Sequence, residues 1–338
     1  MNNKLEWLES IRGGAILLVV LGHLTLINGV GAYSEIIYLF HMPLFFAISG
    51  FLYGYKELNN VEKPQCLIKK KLISLGIPYV VFSVMYVCFN VVMQRFVQTN
   101  TVTKIKSLVT LLWNPVAQYW FIWVLLIYFI VVSYFGNTYS KVIVLMILGL
   151  AVSLLENVIM KNLGTAYHNG LAYFFYFVFA AMIGYNFRKR KSKEICVNIG
   201  TVVVLLITGV FFVLFACQKT FLETSLLRAT LLRMLGIVAF SASVICVTRV
   251  VIIKEALMTI GKYSWYIFLL HPYFLCFTRV ILKKIIPLGK PEIEVVVGMT
   301  VSVGGCMLIG YISKKKRWID GFFYPQHLVK RRIRQDEQ

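Results

Sequence analysis

The chain has 338 residues, 59% of them hydrophobic and only 14% charged, with a mean hydropathy of +0.76. A water-soluble domain averages roughly 45–50% apolar and about 25% charged, so a water-soluble globular fold is excluded and an all-α, polytopic membrane protein is predicted. The formal charge of +21 does not mark a nucleic-acid binder, because Lys and Arg fall in short clusters between apolar runs, the pattern that sets membrane topology.

In chain order, the apolar runs predict about ten transmembrane helices. They cover roughly Ile11–Val30, Ile36–Tyr53, Leu72–Gln94, Tyr119–Phe135, Lys141–Met160, Gly170–Phe187, Ile195–Cys217, Ser225–Val247, Tyr263–Leu282 and Ile293–Ser313. Each approaches the length needed to cross about 30 Å of hydrocarbon. The first run is too long for a cleavable signal, so it is expected to stay as a span. With the N-terminus inside, the inner segments hold roughly twice as many Lys and Arg as the outer ones. Every dense cluster is among them: Lys69-Lys70-Lys71, Arg188-Lys189-Arg190-Lys191 and Lys314-Lys315-Lys316-Arg317. Both termini are therefore expected in the cytoplasm. The outer segment from Arg95 to Gln118 is expected to hold at most a short surface helix. Residues 1–320 read as one membrane domain and 321–338 as a basic cytoplasmic tail suited to anionic headgroups. The seven cysteines are scattered and form no ligand cluster, so they read as small apolar fillers and no metal site is expected.

Three stretches carry chemistry. In the first span, Arg12 and His23 lie eleven residues apart, about three turns, so they share a face roughly 16 Å apart along the axis. If Arg12 sits at one interface, His23 lies near mid-membrane, where an ionisable group is costly and points to function. In the second span, His41 enters from the opposite side to a comparable depth. It is followed by Pro43, which frees a backbone carbonyl, and by Ser49-Gly50, which admits a close neighbour. In the ninth span, Ser264 and His271 are two turns apart and share a face. Three of the five histidines thus fall inside spans. Taken singly, each also reads as a hydrogen-bonded histidine inside a helical bundle.

Together these residues carry a resemblance. Arg12 and His23, the run Phe46-Ala47-Ile48-Ser49-Gly50-Phe51, the run Tyr119-Trp120-Phe121-Ile122 and the stretch from Ser264 to His271 resemble the acyltransferase 3 family of integral membrane acyltransferases. Within it, the chain resembles the stand-alone members related to fucose 4-O-acetylases. The resemblance implies ten core helices, acetyl-CoA or another acyl-CoA as donor substrate with no bound cofactor, and O-acetylation of an envelope or extracellular polysaccharide or its lipid-linked glycan precursor. It implies a multi-pass protein of the bacterial plasma membrane. It places the essential arginine and histidine on Arg12 and His23. It also implies an Arg-x-x-Arg pair entering the third span, where this chain reads Lys71-Leu72-Ile73-Ser74 with Pro78 following. The second cation is absent, so donor contacts are expected from Arg12, Lys69, Lys70 and Lys71. Lys is a competent phosphate partner without the bidentate fork of Arg. His41, Ser49, Trp120, Ser264 and His271 are expected to line the acceptor side, with Tyr119, Trp120 and Trp123 offering a surface on which a sugar stacks.

Two other classes fit ten spans with buried polar groups. A secondary transporter or flippase of a lipid-linked glycan would show interrupted helices in matching positions of two halves, and none is evident. A non-catalytic envelope-assembly or sensor protein would tolerate loss of His23.

The topology is directly testable. Reporters fused after Gln338 and within the Arg188–Glu194 loop should both read cytoplasmic. Reporters on opposite sides would refute the span count.

Overall fold

A computed structural model describes residues 5–27, 31–59, 63–93, 105–155, 165–190, 209, 226–285 and 291–328. The fold is 90% helical, with no strand among the described residues. In order, the helices are α1 (Glu6–Ile27), α2 (Gly31–Lys56), α3 (Pro64–Lys71), α4 (Ile77–Met93), α5 (Trp120–Phe135), α6 (Tyr139–Leu154), α7 (Thr165–Arg188), α8 (Leu226–Val247), α9 (Val251–Ile285), α10 (Pro291–Lys315) and α11 (Arg317–Phe323). Among the described residues, eight stretches are long and apolar enough to cross a membrane, including Glu6–Leu26, Ser34–Lys56 and Pro64–Met93. Helix α6, at 16 residues, is a shorter apolar helix. Apart from Gly209, the expected span Ile195–Cys217 lies outside the described residues. Between α4 and α5 the described residues hold two short 3-10 turns, Ile105–Leu108 and Ala117–Tyr119.

Helix α1 starts at Glu6, earlier than its apolar run. Glu6 and Glu9 occupy its first turn, where the helix dipole favours negative charge, and Ser10 donates to the Glu6 carbonyl at 3.1 Å. Residues too polar to count toward a span thus extend the helix.

The chain divides into two compact units. The first comprises Met1–Asn60, Phe135–Leu163 and His168–Ser264; the second comprises Val61–Tyr134, Gly164–Tyr167 and Trp265–Gln338. In the first, α1, α2, α7 and α8 share a core that includes Ile11, Ala15, Leu44, Ile48, Phe187 and Val244. Trp7 packs edge-on against Phe51 and Phe187, with ring centroids 5.2 and 5.6 Å away. The helices meet backbone to backbone at glycines. A Cβ at Gly50 or Gly54 of α2 would overlap the carbonyls of Phe177 and Ala181 on α7, and one at Gly184 would overlap the Phe51 carbonyl. Gly13 and Gly261 bring α1 and the start of α9 together in the same way, against the Leu257 and Glu9 carbonyls. Small residues are what permit such contact where lipid supplies no hydrophobic drive. At one end of this unit Asn59, left-handed at φ 59°, accepts the Tyr139 N–H at 3.0 Å and donates to the Tyr185 hydroxyl at 2.7 Å. It thereby satisfies a first-turn donor of α6 that has no partner in its own helix.

In the second unit, α3 runs into α4 through a π turn, Leu72–Gly76. Pro78 supplies no N–H to the Ser74 carbonyl, and the locally wider turn absorbs that break. Residues 317–328 are tied to α9, where Trp265 Nε1 donates to the Phe323 carbonyl at 2.9 Å and the Tyr266 hydroxyl to Asp320 at 3.1 Å. The five cysteines among the described residues are all free thiols.

The glycine contacts predict a contrast. Gly50→Ala should destabilise the protein by about 1–3 kcal/mol through overpacking. Gly304→Ala, with nothing within 4 Å of its Cβ position, should be neutral or slightly stabilising, since Ala is the better helix former. Thermal melts in detergent read the difference, and equal melting temperatures would refute the backbone contact.

Candidate functional site

The first unit brings three of the chemistry-bearing side chains of α1 and α2 together. Tyr38 Oη lies 3.0 Å from His23 Nδ1. The two rings meet edge to face with centroids 5.9 Å apart. Tyr38 in turn meets the His41 ring edge to face at 4.8 Å. Gly22 makes room for this pairing, since a Cβ there would already lie 3.0 Å from Ile37 Cγ2 and 3.4 Å from the Tyr38 ring. His23 and Tyr38 are half-buried, so the pair is reachable, while His41 is 2% exposed.

The hydrogen bonds assign different parts to the two histidines. His41 Nδ1 lies 2.7 Å from the Ile37 carbonyl. A carbonyl only accepts, so that nitrogen carries the proton and donates it to its own helix. His23 instead has Nδ1 engaged by a hydroxyl that can either donate or accept. A ring nitrogen held in this way fixes the orientation of the imidazole and, through the direction of the bond, its tautomer.

Arg12 stands at the other end of α1. Its Nη1 lies 3.1 Å from both Glu9 carboxylate oxygens, a pair with side chains about a quarter exposed. A partly exposed ion pair of this kind contributes little, about 0–1 kcal/mol. An incoming phosphate, gaining a charge-assisted hydrogen bond worth about 1.5–3 kcal/mol, can displace Glu9. Ser49 is half-buried on α2 and Ser264 is buried near the end of the first unit.

The remaining expected residues belong to the second unit. Lys69 and Lys70 are exposed on the last turn of α3. Lys71 places its ammonium 3.8 Å from the centroid of Phe129, a cation–π contact that holds it. Trp120 is half-buried. Tyr119 and Trp123 are taken up in packing. Tyr119 is fully buried with its hydroxyl donating to the Leu269 carbonyl at 2.8 Å. Trp123 stacks on Tyr79 at 5.3 Å and donates to the Tyr167 hydroxyl. Tyr119, fully enclosed, presents no ring face to a sugar.

His271 has a structural task. It is fully buried, and its Nδ1 lies 2.9 Å from the Ile267 carbonyl and 3.0 Å from that of Phe268. Phe268 is the residue whose carbonyl is orphaned by Pro272, which has no N–H to give. The imidazole replaces that missing donor, as a membrane helix requires.

Tyr38 is the residue that reading the sequence missed. A tyrosine near the end of a span reads as part of an interfacial aromatic belt. The available signal was its place three residues before His41, which puts both on one face of α2. Among the described residues, no group of three or more His, Cys, Asp or Glu is arranged to hold a metal ion.

The family model for acyltransferase 3, described as an acyltransferase domain, matches residues 5–311. No curated protein and no solved structure matches the chain.

Proposed function

Since the chain belongs to the acyltransferase 3 family, we propose that it moves an acyl group, acetyl by preference, from cytoplasmic acyl-CoA to a hydroxyl of an envelope or extracellular polysaccharide or its lipid-linked glycan precursor. The protein is a multi-pass membrane acyltransferase, and the setting proposed for it is a bacterial plasma membrane. The observation that carries the reading is the His23–Tyr38 pair, a reachable imidazole held in one orientation inside an apolar helical bundle.

In the proposed reaction, the acceptor hydroxyl attacks the thioester carbonyl while His23 Nε2 takes its proton. The new C–O bond forms, the C–S bond breaks, and His23 returns the proton to the departing CoA sulfur. In the two-step version the imidazole attacks first, releases the CoA thiol, and passes the acyl group to the hydroxyl, regenerating neutral His23. Both routes need an unprotonated Nε2 and therefore a proton on Nδ1, donated to the Tyr38 oxygen. Tyr38 acts as a positioning residue. Arg12, released from Glu9, holds a donor phosphate, and Lys69 and Lys70 are the further donor contacts proposed. His41 lines the acceptor side beyond Tyr38.

Sealed vesicles test the proposal. With inside-out vesicles, labelled acetyl-CoA in the bath should acylate a lumenal polysaccharide acceptor; with right-side-out vesicles it should not. His23→Ala and His23→Asn should both lose transfer while the protein remains folded. Asn keeps a polar contact but neither takes the proton nor carries the acyl group. Robust turnover by His23→Asn would sink both routes.

Tyr38→Phe should lower kcat about ten-fold with KM changed less than two-fold, the loss of one orienting hydrogen bond of about 1–1.5 kcal/mol. A rise in KM at unchanged kcat would make Tyr38 a binding group instead.

A further inference from the structure

A cleft of about 580 Å³ opens in the first unit among α1, α2, α7 and α8, within the size range of small-molecule sites. It is open rather than enclosed. It exists because small side chains, Ala47, Ala180, Ser241 and Ala242, stand where larger ones would close it. Its walls are aliphatic and aromatic, with Leu44, Ile48, Phe51 and Trp7 among them. The amide and the one cation of the lining are Asn186 and Arg190, at and just past the end of α7, and both are exposed. Arg188 and Lys189 precede Arg190 in the chain and lie against the Tyr185 ring.

We infer that this cleft holds one acyl chain of an anionic glycerophospholipid, with the phosphate at Arg190. Three observations support that occupant. The first is length. The lining runs from Ala180 on α7 to Arg190, two residues past the end of that helix, and on α8 from Ile237 to Ile245, roughly 15 and 12 Å if the rise of a helix is carried through. That is about half of a 30 Å hydrocarbon core, the depth of one leaflet and so the reach of a lipid tail. The second is charge. The cationic end of an otherwise apolar cleft complements an anionic headgroup, and the Arg188–Lys191 cluster is a dense basic segment of the kind that faces acidic lipid. The third is access. Ile183 and Val238 on the rim are 47% and 50% exposed, so in a membrane-spanning bundle the cleft opens sideways to lipid. A long-chain acyl-CoA shares the pairing of phosphate and chain, but it arrives from water, whereas the side opening suits a resident of the bilayer. The site is separate from the acyl-transfer reading, for it does not include His23, Tyr38 or Arg12.

Native mass spectrometry of delipidated protein, titrated with phosphatidylglycerol or phosphatidylcholine, tests this. One phosphatidylglycerol should bind about five-fold more tightly than phosphatidylcholine, which corresponds to about 1 kcal/mol for one cation at a headgroup. Arg190→Glu, at an exposed position that leaves the core alone, should bring the two lipids within two-fold. Ser241→Phe, filling the cleft, should lose the single adduct at least ten-fold. Equal affinity of wild type for both lipids, many adducts without preference, or an adduct that survives Ser241→Phe in folded protein would each overturn the inference. So would stoichiometric displacement of phosphatidylglycerol by decanoyl-CoA, which would make the cleft a donor site. Should Ser241→Phe fail to fold, the Arg190→Glu comparison decides alone.

Discussion

The first unit depends on backbones touching backbones. At Gly50, Gly54 and Gly184 the main chains of α2 and α7 approach so closely that a single Cβ has no room, and Gly13 and Gly261 do the same for α1 and the start of α9. In a bilayer, apolar side chains gain little by leaving lipid for protein, so close packing and satisfied polar groups must carry the association. Glycine contacts also set register, because the lock fits only where a small residue on one helix faces a carbonyl on the next. That register matters for chemistry. Helix α2 is held by α7 along its second half, and its first half turns Tyr38 toward His23 across the Gly22 gap. A slide of α2 by one residue would turn Tyr38 by about 100° around the helix and break the pair.

The three histidines within the spans differ in what holds them. His271 is the most deeply buried of them and the one most plainly occupied, because Pro272 leaves the Phe268 carbonyl without its helical donor and the imidazole supplies one. His41 donates to its own helix through Nδ1 while its ring packs on Tyr38. His23 alone is held by a hydroxyl on another helix and remains half-exposed. An imidazole poised for proton transfer needs both orientation and access, and only His23 combines them among these three.

The helices were legible in the sequence because a bilayer demands long apolar runs, and the eight spans of the described residues follow those runs. The starts were less legible. Glu6 and Glu9 look like the end of a span to a hydropathy count, yet they are what a helix N-terminus favours. The site was half legible. Arg12, His23 and His41 are conspicuous because charge and imidazole are rare within hydrocarbon. Tyr38 was hidden because tyrosine is common near membrane interfaces and its partner lies on a different helix. Tyr119 misled for the opposite reason. An aromatic run at the start of α5 suggested a sugar surface, but Tyr119 spends its hydroxyl on the Leu269 carbonyl in the core of the second unit. Side-chain partners across helices are settled by packing, which a linear pattern does not record.

Arg12 shows how a cation can be both stored and available. A free guanidinium within a span would pay a desolvation cost with nothing in return. Glu9, one turn earlier, meets that cost with both carboxylate oxygens at 3.1 Å. Because the pair is partly exposed, its net worth is small, and giving up the carboxylate for another anion costs little. Glu9 itself stays comfortable when released, since it remains in the first turn of α1 near the positive end of the dipole. A fully buried Arg–Glu pair would behave differently, because separating it strands a charge at a cost of about 3–5 kcal/mol. The partly exposed placement therefore suits an arginine whose proposed partner comes and goes with each donor molecule.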